Sequence, residues 1–197
     1  MPEIICRECL PNDSVREIAL CIYQTDPYIY PYACAEDLNL WTRIVEQCLP
    51  DPNNIFYRGN LSVAGVDGSI AGIVCTIKGG HNYVFSKGLS VPETLKDNIR
   101  SVEKGYFQPL FKDNRKLKGC NITNVCVLST HRRRGIADRL MSFCIERYQD
   151  DLHLEVIADN KAAISLYEKH GFVKVTEYNG YNPDGTDLPC SLYLRRQ

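Results

Sequence analysis

The chain has 197 residues, a length that suits one domain or at most two small ones. Hydrophobic residues make up 44% of it, enough for a full core, and a formal net charge of -1 gives no excess to draw the molecule to nucleic acid or an anionic membrane. A small partner must therefore be recognised at a site rather than by the charge of the whole surface.

Ten cysteines would suit a disulfide scaffold, but Met1-Pro2-Glu3-Ile4-Ile5-Cys6-Arg7-Glu8 shows no basic region followed by a long apolar stretch, so export is not expected. No segment approaches the ~18–20 consecutive apolar residues that cross a bilayer. The expectation is a cytoplasmic protein whose thiols are reduced and packed as small apolar side chains. Cys6 and Cys9 have C-x-x-C spacing, the opening half of a zinc site, yet no second C-x-x-C or H-x-x-x-H closes it, and no metal is expected.

In chain order, residues 3–9 read as a first strand. Ser14 and Glu17 have capping-box spacing, and Val15, Ile18, Ala19 and Ile22 recur at helical intervals behind them. Residues 26–32, with Pro27 and Pro31, read as a loop. Trp41, Ile44, Val45, Cys48 and Leu49 share one face of a second helix. Asp67-Gly68 between two β-rich runs marks a hairpin over residues 61–77. Leu95, Ile99, Val102 and Tyr106 suggest a helix after Pro92, and the lysine-rich run to Lys118 reads as solvated surface.

The last third reads as strand 122–128, helix 135–148, strand 152–158, helix 160–170 stopped by Gly171, and strands 172–178 and 190–194 around the turn sequence Asn182-Pro183-Asp184-Gly185. That succession describes one α/β domain covering residues 1–197.

Two segments carry chemistry. From Val125 to Ala137 a strand runs through the basic turn Arg132-Arg133-Arg134-Gly135 into a helix that begins Ile136-Ala137. Helix N-termini offer unpaired N–H groups and a positive dipole end, Gly135 permits close backbone approach, and arginines add forked donors, so the turn suits a pyrophosphate. An ordinary solvated basic turn is the alternative. In the second segment, Asn160, Ala163 and Tyr167 fall at i, i+3 and i+7 on one helix face. An amide, a small residue and a phenol would make an odd core stripe but a suitable wall for a long polar ligand; for Tyr167 alone, a satisfied core tyrosine is the alternative.

Arg132-x-x-Gly135-x-Ala137 resembles the R/Q-x-x-G-x-G/A signature of the GCN5-related N-acetyltransferases, and residues 159–172 resemble that family's N-x-x-A-x-x-L-Y-x-x-x-G-F segment. The close match covers roughly residues 120–175, and the order of elements extends it over nearly the whole chain. The resemblance implies a mixed, mostly antiparallel sheet flanked by helices, whose fourth and fifth strands splay apart to admit acetyl-CoA. It implies that Val125, Cys126 and Val127 pair with the pantetheine amides, that Arg132, Arg133, Arg134, Gly135, Ile136 and Ala137 hold the pyrophosphate, and that Asn160 and Ala163 line the pantetheine arm.

For such a thioester, a neutral amine attacks the carbonyl, a backbone N–H of the fourth strand stabilises the oxyanion, and Tyr167 protonates the departing thiolate. Some family members use a glutamate on the fourth strand as base. Here that strand reads Asn121-Ile122-Thr123-Asn124-Val125-Cys126, so the base is left among Glu36, Asp37, Glu155 and Asp159, or the amine arrives neutral. Tyr28, Tyr30 and Tyr32, joined by the Gly105-Tyr106-Phe107 segment, form an acceptor-side wall or else pin a proline-containing loop to the core.

The expected partner is a small-molecule or peptide amine, with no nucleic acid and no membrane; a homodimer is left open. A catalytically inactive acyl-CoA-binding regulatory domain is the rival reading, and a phosphate-reading nucleic-acid module a weaker one.

Overall fold

The computed structural model describes residues 3–81, 83–107, 118–149, 151–181 and 187–197. Among these, seven strands form one sheet in the order β1-β2-β3-β4-β5-β7-β6. They are β1 (Ile4–Glu8), β2 (Leu61–Val66), β3 (Ser69–Lys78), β4 (Cys120–Val127), β5 (Leu152–Ile157), β6 (Phe172–Tyr181) and β7 (Asp187–Arg196). Every neighbouring pair is antiparallel except β4 and β5, which are parallel.

Helices cover both faces. On one side lie α1 (Val15–Tyr23), the short α2 (Ile29–Ala33), α3 (Leu38–Cys48) and α4 (Lys96–Val102); on the other lie α5 (Ile136–Arg147) and α6 (Lys161–Lys169). Two apolar clusters result, one on each face of the sheet. The first is centred on Trp41, whose ring meets those of Tyr30, Phe56 and Phe85 at centroid distances of 4.9, 6.0 and 6.3 Å. Its indole N–H, buried with the ring, donates to the Ala19 carbonyl at 3.0 Å and so joins α3 to α1. The second packs Leu140, Met141 and Cys144 of α5 on Ala64, Val74 and Leu154 of the sheet.

Local signals act as their chemistry dictates. Ser14 caps α1 by accepting the Glu17 N–H at 3.3 Å, and Glu17 reaches on to accept the Ile70 N–H at 3.0 Å, tying the helix to the hairpin. Asp67 and Gly68 both have positive φ, 51° and 82°, as a primed two-residue turn requires. Residues 26–32 differ from the expected loop: α2 forms there with Pro31 inside it. Pro31 is the third helical residue, where an N–H would have no intrahelical partner, so its missing donor costs nothing. Asn160 is the cap of α6 rather than a member of it. The turn at residues 182–185 and most of the run before Lys118 lie outside the described residues. No described helix is long and apolar enough to cross a membrane.

The start of β4 depends on Gly119. Its φ is +91°, and a Cβ there would lie 2.0 Å from the Asp151 carbonyl oxygen. The close approach lets Cys120 N–H donate to that carbonyl at 2.8 Å and sets the parallel register of β4 on β5. Gly119→Ala should therefore cost at least ~2 kcal/mol of stability, from an unfavourable backbone conformation and a backbone clash together. Urea unfolding should show a lower midpoint at unchanged slope; an unchanged midpoint would mean this approach does not set the register.

Candidate active site

The parallel pairing of β4 with β5 is short. Cys120, Asn121 and Ile122 pair with Leu152, His153 and Leu154, and beyond them the two strands have no ladder. The register of β4 on β3 also shifts at this level: Cys126 opposes Ile73 and Thr123 opposes Cys75, so two residues of β4 stand opposite one of β3. Asn124 in this bulge has φ 45°, an αL conformation that asparagine tolerates better than most residues. Its amide donates to the Thr25 hydroxyl at 2.8 Å and the Tyr30 hydroxyl at 2.6 Å, which fixes the bulge against the end of α1.

A cleft of about 200 Å³ opens where the strands part. Its β4 wall includes Asn121, Thr123, Asn124 and Val125; its β5 and α6 wall includes Glu155, Asn160, Ala163 and Tyr167; Asp26, Tyr28, Tyr30 and Tyr106 close the remaining side. The cleft thus brings together residues from both sequence segments. Cys126 does not line it: the thiol is buried in the core cluster on the α1 side of the sheet, as a structural cysteine. None of the ten cysteines is in a disulfide.

Following β4, a 3-10 turn over Ser129–His131 leads to Arg132, Arg133 and Arg134, all exposed, and Gly135 caps α5 in the left-handed region with φ 76°. Among the described residues, the N–H groups of residues 133–138 have no backbone acceptor, so the turn presents a row of donors at a helix N-terminus. Arg132 Nε donates to the Val127 carbonyl at 3.1 Å, fixing the turn to the end of β4. Asp138, in the first turn of α5, would repel an anion there. Its charge is instead engaged by Lys169 at 2.6 Å and His170 at 3.0 Å from the end of α6, and the Lys169 contact holds its carboxyl below the usual range.

Asn160 Oδ1 accepts the Ala163 N–H at 3.2 Å, so its amide N–H₂ is the arm left for a ligand. Tyr167 is 7% exposed, at the cleft, its ring 6.1 Å from that of Phe172; burial pushes its phenol up to about 12. Tyr28 is 45% exposed at the mouth. Tyr30 is a core residue with only its hydroxyl turned to the Asn124 amide, and Tyr32 packs against the core without lining the cleft.

Of the four carboxylates weighed from sequence, Glu155 lines the cleft, whereas Glu36, Asp37 and Asp159 do not; Asp37 caps α3. Asp26 escaped sequence reading. It accepts the N–H groups of Tyr28 and Ile29 at 2.8 and 2.9 Å, and burial raises its carboxyl. The Asp-Pro-Tyr order, an Asx turn opening a helical turn, was the available signal.

The burial of Tyr167 has a sign that can be measured. The unfolded chain loses this proton near pH 10 and the folded chain near 12, so stability is complete below pH 10 and is lost as pH rises through that window. Tyr167→Phe should flatten the fall in melting temperature between pH 10 and 12 and remove one late-ionising phenol from the ultraviolet titration. Were the phenol at this position normal, the substitution would leave the fall in melting temperature unchanged and would remove a phenol ionising near pH 10 from the titration.

Comparison with known proteins agrees with this geometry. The family described as "Acetyltransferase (GNAT) family" matches residues 15–172. An N-alpha-acetyltransferase of Saccharolobus solfataricus is 38% identical over 72 residues, which is 34% of this chain and 43% of that protein, so the match spans less than half of the relative. The crystal structure of an N-acetyltransferase from Staphylococcus aureus Mu50 superposes with a TM-score of 0.71 at 20% identity, covering 97% of this chain and 99% of that one. A chain of the NatC complex bound to Gag peptide and CoA gives a TM-score of 0.57 at 17% identity, covering 98% of both chains. With one open seven-stranded mixed sheet parted between β4 and β5, this protein belongs to the GNAT acetyltransferase family.

Proposed function

We propose that the protein is an N-acetyltransferase that transfers the acetyl group of acetyl-CoA directly to a primary amine in a ternary complex. The observation that carries the reading is the parting of β4 and β5 between two built ends: a row of N–H donors over residues 133–138 and a buried phenol at Tyr167. The residues present fit the thioester. The donors and the three arginines suit a pyrophosphate, the Asn160 amide and small Ala163 suit the pantetheine arm, and the unladdered stretch of β4 offers backbone groups to its amides. Because Arg132 occupies the Val127 carbonyl, that pairing rests on Val125 and on the Val127 N–H.

The chain's own groups then account for each proton. The amine nitrogen bonds to the acyl carbon as the C–S bond breaks, and a β4 N–H near the Asn124 bulge receives the oxyanion. Glu155 takes one proton from the ammonium so that a neutral amine attacks, the nitrogen's second proton passes to water as the tetrahedral intermediate collapses, and Tyr167 supplies one to the leaving sulfur; solvent then deprotonates Glu155 and reprotonates Tyr167.

A phenol at about 12 is a weaker acid than an ordinary thiol, which would make the second transfer uphill by roughly 5 kcal/mol in water. The cleft removes most of that mismatch. Burial is the largest of the causes that push the Cys48 and Cys75 thiols of this protein to about 12, and a thiolate desolvated to a similar degree would have the basicity to take the Tyr167 proton.

The N-alpha-acetyltransferase relative and the peptide-bound neighbour favour the α-amine of a peptide as acceptor over a free small amine. Acetyl-CoA at about 100 times its dissociation constant should stabilise the fold by about 2.7 kcal/mol, and release of CoA should depend on an added amine. Tyr167→Phe should lower turnover about 10²–10⁴-fold while acetyl-CoA affinity stays close to wild type. A melting shift with no turnover on any peptide or small amine would instead identify a CoA-binding regulatory domain.

A further inference from the structure

Between β3 and β4 the chain leaves the sheet at Gly79 and returns at Gly119, where the Gly79 N–H donates to the Gly119 carbonyl at 2.7 Å. Antiparallel neighbours need a turn of only about 2–5 residues, so the sheet itself does not require residues 80–118, and an excursion of that length with closed ends calls for another purpose. Its described residues are built into the molecule. The Phe85 ring stands 6.3 Å from that of Trp41 and 6.0 Å from that of Phe56, and the Phe85 carbonyl accepts the Asn54 amide at 3.0 Å. Gln47 of α3 holds both backbone groups of Ser90, accepting the N–H at 2.7 Å and donating to the carbonyl at 3.3 Å. Asn98 of α4 donates to the Tyr32 carbonyl at 2.8 Å, which docks α4 on α2.

Behind α4 the excursion makes a π turn over Glu103–Phe107, a rare geometry that recurs at functional sites. Glu103 fixes it. Its carboxylate, 7% exposed, accepts the Phe85 N–H at 3.1 Å and the Ser86 N–H at 2.8 Å with the same oxygen, so the two halves of the excursion are joined where the turn begins. Three residues on, Tyr106 packs half-buried against the Trp41 cluster and borders the cleft. Tyr28, which opens α2, borders the same cleft, so the contact of Asn98 with Tyr32 fixes the carriers of both rings against each other. Among the described residues no lysine, arginine or histidine lines the cleft, whereas Asp26 and Glu155 do.

We propose that this excursion selects the acceptor: the rings of Tyr106 and Tyr28 form the slot for the first side chain of an acceptor peptide and favour a large apolar one. Two phenol rings offer such a side chain wide contact at little cost in rotamer freedom. An acidic first side chain would enter beside Asp26 and Glu155 with no cation to meet it, and like charge excludes it. Tyr106 is then a specificity-determining residue and Glu103 a positioning residue that acts through it. The peptide acceptor rests on the acetyltransferase reading; the anchoring of Tyr106 by Glu103 does not.

The test uses the full chain, saturating acetyl-CoA and peptides that differ only in a first residue of leucine, alanine or aspartate. Wild-type protein should prefer leucine to aspartate about 100-fold in kcat/KM, and leucine to alanine about 10-fold. Tyr106→Ala should raise the KM of the leucine peptide about 10-fold, close to that of the alanine peptide, and leave kcat and the acetyl-CoA dissociation constant within about threefold. Tyr106→Phe, which keeps the ring, should stay near wild type. Glu103→Ala should lose the same selectivity, and Glu103→Gln, whose amide oxygen still accepts an N–H, should restore it; if Glu103→Ala does not fold, the Tyr106 variants decide. A leucine preference that survives Tyr106→Ala overturns the proposal, as does wild-type protein indifferent to the first residue. Fluorine NMR of protein carrying 3-fluorotyrosine, with the Tyr106 signal identified by its loss in Tyr106→Phe, separates this from the acetyltransferase reading. If no amine is acetylated, that reading fails; a Tyr106 signal that moves on adding the leucine peptide with CoA still supports the slot, and an unmoved signal overturns it.

Discussion

The pairing of β4 with β5 stops after three residues, and the rest of the molecule is arranged around that stop. Up to Ile122 and Leu154 the strands share backbone hydrogen bonds; past that point each strand's inner edge needs partners from elsewhere. A sheet with an open seam inside it is costly unless something enters the seam, and the chain fixes the seam from both ends. Gly119 brings β4 against the Asp151 carbonyl at the closed end, and the Asn124 bulge, held by Thr25 and Tyr30, turns β4 away at the open end. Because the bulge is anchored to Thr25 and Tyr30, one piece of backbone sets both of the seats proposed for the thioester and the amine.

Electrostatics at the two ends are of opposite sign, as the proposed transfer between an anionic carrier and a cationic acceptor would require. The outer end has three exposed arginines and a helix N-terminus, with Asp138 neutralised by Lys169 and His170. The inner end has Glu155 and Asp26, both at the cleft. Such polarity orients two ligands without a net charge on the whole chain, consistent with a formal total of -1.

The helix caps, the hairpin and the two candidate site segments were legible because their signals are local. Ser14 with Glu17, Asp67-Gly68, the arginines before Gly135, and Asn160 through Tyr167 each act within one turn or one helix, where spacing alone decides what meets what. What escaped depends on contacts distant in sequence. Tyr30 borders the cleft, as a wall residue would, but Trp41 and Phe56 hold its ring in the core and its hydroxyl meets Asn124, contacts that sequence spacing does not show. Glu103 and Phe85 are 18 positions apart and meet only because the chain between β3 and β4 folds back on itself. Asp26 joins the site because an Asx turn folds α2 over it, a helix that Pro31 had argued against.

Amide hydrogen exchange with and without acetyl-CoA tests the central claim most directly, because it reads the backbone donors themselves. If the parted strands and the α5 N-terminus receive the thioester, exchange should slow on adding acetyl-CoA at residues 123–127 and 133–138, while β1 and the β2–β3 hairpin stay unchanged. Protection confined to other regions, or none at saturating ligand, would contradict the account and leave the open seam without its proposed occupant.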